Sequence, residues 1–193
     1  MSSGFGGFLF VLLGIGAALL IILIYGIATY NRLVALRQQT MNAWGQIDVQ
    51  LKRRYDLIPN LVETVKGYMN HEQETLERVI QARNRALGAS GVHERAEAEK
   101  MVAGALSGIF ALAESYPDLK ANQNMMSLQA ELQATENKIS FARQYYNDIV
   151  TAYNTKVESF PDSLFASLGG FKPRELFELD DAAAREPVRV NFS

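Results

Sequence analysis

No aspartate, glutamate, lysine or arginine occurs between Met1 and Asn31, and from Phe5 to Tyr30 the chain is almost entirely Phe, Leu, Val, Ile, Ala and Gly. About 20 such residues cross the hydrocarbon core of a bilayer. Inside it a segment must satisfy its own backbone hydrogen bonds, so this run predicts a transmembrane helix in which Gly14, Gly16 and Gly26 are tolerated. Tyr25 and Tyr30 then fall at the lower membrane interface, where amphipathic rings are enriched. The competing reading is a cleaved secretory signal, because Gly26 and Ala28 form a small-x-small site before Thr29. The run is longer than a signal core, however, and no Lys or Arg precedes it, so an uncleaved anchor is the better reading.

The flanks set the orientation. Arg32, Arg37, Lys52, Arg53 and Arg54 follow the span and nothing positive precedes it, which predicts a cytoplasmic C-terminal domain. The first acid is Asp48, so Arg32 and Arg37 are free to lie against anionic head groups. Gly14 and Ala18 make a small-xxx-small pair of the kind that seats a second helix, although such pairs are more often filler. The net charge of −2 creates no field that collects nucleic acid, and no basic run or RNA-binding aromatic motif is present. With no cysteine, disulfides, thiolate catalysis and cysteine-based metal sites are excluded.

Past Asn31 the apolar residues recur at helical spacing: Leu33, Leu36, Thr40, Trp44, Ile47, Leu51, Tyr55 and Ile58. Nothing interrupts the pattern between Thr29 and Arg32, so the membrane helix is expected to continue straight into the soluble domain. Asp56 with Pro59 in the following turn predicts a kink or short break near Tyr55, after which the stripe resumes at Val62, Val65, Met69, Leu76, Ile80 and Leu87. Gly88, Ser90 and Gly91 mark a hairpin tip. A third helix is expected from about His93 to Glu114, fraying or bending at Gly104 and Gly108, before a breaker at Ser115–Asp118. The fourth helix carries Leu128, Leu132, Thr135, Ile139, Ala142, Tyr146, Ile149 and Tyr153 in a heptad seam of the coiled-coil type. Trp44, Tyr145 and Tyr146 are expected in the core or seam.

These segments predict an all-α fold: one N-terminal transmembrane helix continuing into an antiparallel bundle of long helices. The division is 1–31 for the N-terminal segment and anchor, 32–160 for the bundle, and 161–193 for a C-terminal segment. Phe160, Leu164, Phe165, Leu168, Phe171, Leu176 and Phe177 are too apolar for a free tail and are expected to fold back along the bundle. The end, from Ala182, is expected to be disordered or to bind a partner.

No catalytic, cofactor or metal constellation is evident. His71 and His93 have no second His at ligand spacing; four residues after His71 stands Thr75, where a zinc-protease helix needs a histidine. Glu-x-x-His pairs on two helices, as a di-iron bundle requires, are missing from the sequence. The early glycines precede a span instead of following a strand, which excludes a phosphate loop, and no serine sits in a nucleophile elbow. Glu94, Glu97 and Glu99 read as a solvated face paired with Arg95 or Lys100. The expectation is therefore a non-enzyme with no cofactor and no small-molecule substrate. Arg53, Arg54, Asp56 and Asn60, clustered where the helix is expected to turn, are the candidate partner-binding residues, although such groups more often serve helix-end carbonyls and amides.

The stretches Tyr30-Asn31-Arg32-Leu33-Val34 and Ala43–Val62, the latter including Lys52-Arg53-Arg54-Tyr55-Asp56-Leu57-Ile58-Pro59-Asn60, resemble the LemA family of bacterial membrane proteins. So do Tyr116-Pro117-Asp118-Leu119-Lys120-Ala121, Glu136-Asn137-Lys138-Ile139 and Phe160-Pro161. The resemblance covers nearly the whole chain. It implies a short extracytoplasmic N-terminus, one anchor in the bacterial inner membrane and a cytoplasmic helical bundle, and it implies no reaction. Family members look like accessory proteins, often encoded near a membrane zinc metalloprotease, and a relative takes part in magnetosome membrane formation. The function expected is a membrane-anchored scaffold or adaptor whose partners are the bilayer and either copies of itself or another membrane protein. The alternatives are a membrane-remodelling protein and an accessory factor of a membrane metalloprotease.

Overall fold

The computed structural model describes residues 2–68 and 72–178, with the backbone alone for residues 2–9. Six helices follow one another: α1 (Ser2–Lys66), α2 (Gln73–Gly88), α3 (Val92–Ala113), α4 (Pro117–Lys120), α5 (Gln123–Glu158) and α6 (Asp162–Leu168). Among the described residues there is no strand, in keeping with the all-α reading of the sequence. Helix α1 is long and apolar enough in its N-terminal part to cross a membrane, and that part is almost wholly uncovered by protein.

The chain packs as two compact units. The first joins α1 up to Ala43 with Tyr146–Arg174. Its core is Leu33, Leu36, Tyr153, Val157, Ala166 and Phe171, with Val34 against it. A fully buried Leu or Phe contributes about 1.5–3 kcal/mol, so these few residues suffice to hold α6 and the segment after it on α1 and α5. Helix α6 ends in a complete Schellman turn: Phe171 N–H donates to Ala166 O (3.0 Å) and Gly170 N–H to Ser167 O (3.2 Å). Gly170 has φ +68°, a conformation this turn needs and side chains resist. Beyond it, the Asn154 amide clamps the backbone of Arg174 on both sides, donating to Arg174 O and accepting from Arg174 N–H, each at 2.8 Å.

The second unit comprises Trp44–Tyr145 and the segment from Glu175. Helix α1 contributes Ile47, Leu51, Tyr55, Ile58 and Leu61 to its interior, and α5 contributes Leu132, Thr135 and Ile139, all buried. The fold-back of the C-terminal segment is realised at Phe177, which is buried and packs on Trp44 with ring centroids 5.8 Å apart. Leu176 stays exposed. Tyr146 is buried, as expected, whereas Tyr145 faces out because it lies a residue off the seam.

Three expectations are corrected. The break placed near Tyr55 does not occur: α1 runs through Pro59 to Lys66, and the interruption comes before Gln73. Proline lacks the N–H that would bond the carbonyl four residues back, so Tyr55 O is left without its helical donor; Arg83 Nε supplies one at 2.8 Å. In α2 the buried stripe is Leu76, Val79, Ala82 and Ala86, and the expected Ile80 and Leu87 are exposed. Helix α3 does not fray at Gly104 and Gly108: it is helical through both, with Val102, Leu106 and Ile109 buried. Met69, His71 and the C-terminal end from Ala182 lie outside the described residues.

Candidate functional site

The proposed docking residues divide by helical phase. Arg53, Asp56 and Asn60 are exposed, while Arg54 is only 2% exposed, in phase with Leu51 and Ile58. Arg53 meets Glu131 at 2.7 Å, both side chains open to water. Such pairs contribute about 0–1 kcal/mol, so Glu131→Ala should leave the urea midpoint of the chain nearly unmoved. A large loss would mean that this pair is more than a surface contact.

Arg54 occupies the centre of a buried polar cluster. Its guanidinium pairs with the carboxylates of Glu99 on α3 and Glu136 on α5, and the Tyr55 hydroxyl donates to Glu99. Burial pushes the Tyr55 phenol above its ordinary value, with the positive charges of Arg95 and Arg54 opposing; it therefore remains the protonated donor that Glu99 requires. Arg95 extends the arrangement to Asp48 at 2.9 Å and to Ala89 O at 3.2 Å. Beside the cluster lies a surface cleft of about 300 Å³ whose polar lining includes Arg54, Ser107, Gln129, Gln133 and Glu136.

Chemically this is a strut of ion pairs. Each carboxylate is committed to a guanidinium, and a general base would need one that is free. Among the described residues no group of three His, Cys, Asp or Glu could hold a metal ion. His93 is an exposed residue 3.7 Å from Glu97. The Glu99 reading from sequence is corrected: it is 3% exposed and does not belong to the solvated face. The signal was present in phase, because Glu99 stands three residues from both Ala96 and Val102 on the buried stripe of α3. Glu136 stands out in the sequence only through the family resemblance, and nothing local marks it or Arg83 as a partner of Arg54 or Tyr55.

In the first unit the residues expected at the membrane interface take up defined positions. Tyr25 is exposed, and its hydroxyl donates to Asp162 Oδ1 at 2.8 Å, as does Thr29 Oγ1. Lys156 Nζ lies 2.6 Å from Asp162 Oδ2. Tyr30 packs edge-on against Phe171, and Arg37 sits over the same ring; Arg32 is exposed. The hydrogen bond from Lys156, then those from Tyr25 and Thr29, hold the Asp162 carboxyl below its usual 3.8, against desolvation. A depressed carboxyl stabilises the fold fully above its unfolded pKa of about 3.9, and that contribution is lost as pH falls through the folded value. Asp162→Asn should therefore lower the melting temperature by a constant amount above about pH 5. The gap to wild type should close below pH 4; a gap that persists there would exclude this cause.

A model of the LemA family matches residues 43–192. Protein LemA of Metamycoplasma hominis is 30% identical over 135 residues, covering 67% of this chain and 60% of that protein. Magnetosome proteins MamQ 2 and MamQ 1 of Paramagnetospirillum magneticum are each 22% identical over 175 residues, covering 77% of this chain and 64% of theirs. The matches thus span less than two thirds of these relatives' own length.

Proposed function

The chain belongs to the LemA family, and from that premise we propose that it is a non-enzymatic, single-pass scaffold or adaptor of the bacterial inner membrane. It acts through protein–protein contacts, including contacts between its own copies. One observation carries the reading: a single helix, α1, supplies both an uncovered apolar stretch of membrane-spanning length and core residues of a helical bundle. The strut around Arg54 supports it, because the most elaborate polar cluster described is spent on holding helices together. Arg53, Asp56 and Asn60 form the docking face; Arg54, being enclosed, does not.

The test is the mass of the full chain extracted in detergent, before and after gentle crosslinking in its native membrane. Discrete adducts are expected, and Arg53→Ala/Asn60→Ala should weaken them without moving the melting temperature. A monomer with no adducts overturns the proposal. The bundle is cytoplasmic, from the positive flank at Arg32 and Arg37. A single cysteine at Ser90→Cys, on an exposed turn, should resist an impermeant maleimide in intact cells and react after permeabilisation; labelling in intact cells would reverse the orientation.

The likeness to two magnetosome proteins favours a second reading, in which many copies organise or remodel a membrane. Purified chain would then cluster or tubulate anionic vesicles. Unchanged vesicles at high coverage would remove this reading and leave the first intact.

A further inference from the structure

Helix α6 is attached to the part of α1 where the apolar stretch ends. Tyr25 and Thr29 bond Asp162 at its N-terminus, and the Phe165 ring lies so close to Gly26 that a Cβ there would come within 2.6 Å of it. Tyr25 and Phe165 are also in ring contact, with centroids 5.8 Å apart. At about 1.5 Å per residue, some 20 residues from Phe5 bring α1 through about 30 Å of hydrocarbon to the level of Ile24. Phe165 is thus at the boundary of the lipid core.

Beside this contact, α6 and the turn before it present a run of uncovered apolar groups. Phe160 is 81% exposed, Leu164 57% and Leu168 87%. They recur every four residues, so α6 carries Leu164 and Leu168 on one face. Between Ser159 and Phe171 the sequence holds a single charge, Asp162, and Lys156 pairs with it. An apolar groove of about 480 Å³ runs from Phe165 along Leu19, Ile22, Leu23 and Gly26, continuous with the exposed surface of the span.

We propose that α6 is a second membrane contact: an interfacial foot whose Phe160, Leu164 and Leu168 side chains enter the acyl region beside the point where α1 leaves the bilayer. The occupant of this face is lipid, because the face continues the surface of the span and its one charge is already neutralised. Uncovered leucines in water carry the cost of hydrated apolar surface; at the interface the same groups bind, as the apolar side of an in-plane helix does. The foot fixes the depth of α1, since Tyr25, Thr29 and Asp162 tie the two helices at one level. This inference rests on the reading of α1 as a membrane anchor.

The experiment is site-directed spin labelling of the full chain in mixed phosphatidylcholine and phosphatidylglycerol vesicles. The chain has no cysteine, so single nitroxides are placed by Leu164→Cys, Leu168→Cys, Lys172→Cys and Ile15→Cys, each at an exposed side chain. Collision with oxygen, which concentrates in lipid, is compared with collision with a water-soluble nickel chelate. Labels at 164, 168 and 15 should favour oxygen, and the label at 172 should favour nickel. Labels at 164 and 168 that favour nickel while 15 favours oxygen overturn the foot and leave the anchor standing. Labels at 164 and 168 shielded from both reagents mean that protein covers this face, which also overturns it. A nickel-accessible label at 15 removes the anchor and the foot together.

Discussion

Glu99→Ala should destabilise the helical domain by about 3–5 kcal/mol, the largest loss expected from any single substitution described here. The reason is what stays behind. Arg54 is 2% exposed, so its guanidinium charge depends on the carboxylates beside it and not on water. Without Glu99 it keeps only Glu136, whose side chain is 46% exposed and shared with water, and the Tyr55 hydroxyl loses its acceptor. Urea unfolding of the full chain in detergent, followed by helicity, measures the loss. Glu99→Gln keeps an acceptor for Tyr55 without the charge and should fall between wild type and Glu99→Ala.

The decisive control is Arg54→Met/Glu99→Leu. Breaking a buried pair is costly, but replacing both partners with apolar groups of similar volume is often neutral or stabilising. The double variant should therefore regain most of what Glu99→Ala loses. If Glu99→Ala costs less than about 1 kcal/mol, the pair behaves as a solvated surface contact and the strut is not a strut. If the double variant is no better than the single one, the loss comes from the Tyr55 hydroxyl left without its acceptor instead of from uncompensated charge.

The apolar N-terminal part of α1 was legible in the sequence because its signal is a long shift in composition. The sequence also exposed the seam of α5, where steps of four and three repeat over many turns; Leu132, Thr135, Ile139, Tyr146 and Tyr153 are all buried. What it concealed depends on partners far away in the chain. Glu99 looks like Glu94 and Glu97 by type and differs only in phase, and its partner Arg54 lies 45 residues earlier by number. For Asp162 the local partner Lys156 signals nothing unusual, and the Tyr25 and Thr29 donors that tie it to α1 are more than a hundred residues distant. By composition the C-terminal segment reads as folding back along the bundle, with Phe160, Leu164 and Leu168 no different from Phe171 and Phe177. In the structure Ala166, Phe171 and Phe177 pack inward while Phe160, Leu164 and Leu168 remain uncovered, a division that composition alone does not contain.

The misplaced break at Tyr55 leads to the second large effect. Proline inside a helix removes one backbone bond and costs about 3 kcal/mol or more, which is why Pro59 argued for a break. The chain remains helical because Arg83, from α2, donates to the freed Tyr55 carbonyl; Pro59 itself is exposed and disturbs no core. Arg83→Ala should therefore cost about 1–3 kcal/mol, the range for stranding a buried polar group. In a Pro59→Ala background the residue at 59 regains its N–H and can bond Tyr55 O directly. The arginine then becomes dispensable, and the same Arg83→Ala change should cost well under 1 kcal/mol. A double-mutant cycle on urea stability measures this, with an expected coupling of about 1–2 kcal/mol between two residues on different helices. Additivity to within about 0.5 kcal/mol would show that Tyr55 O finds another donor and that Arg83 is not what permits a proline in the middle of α1.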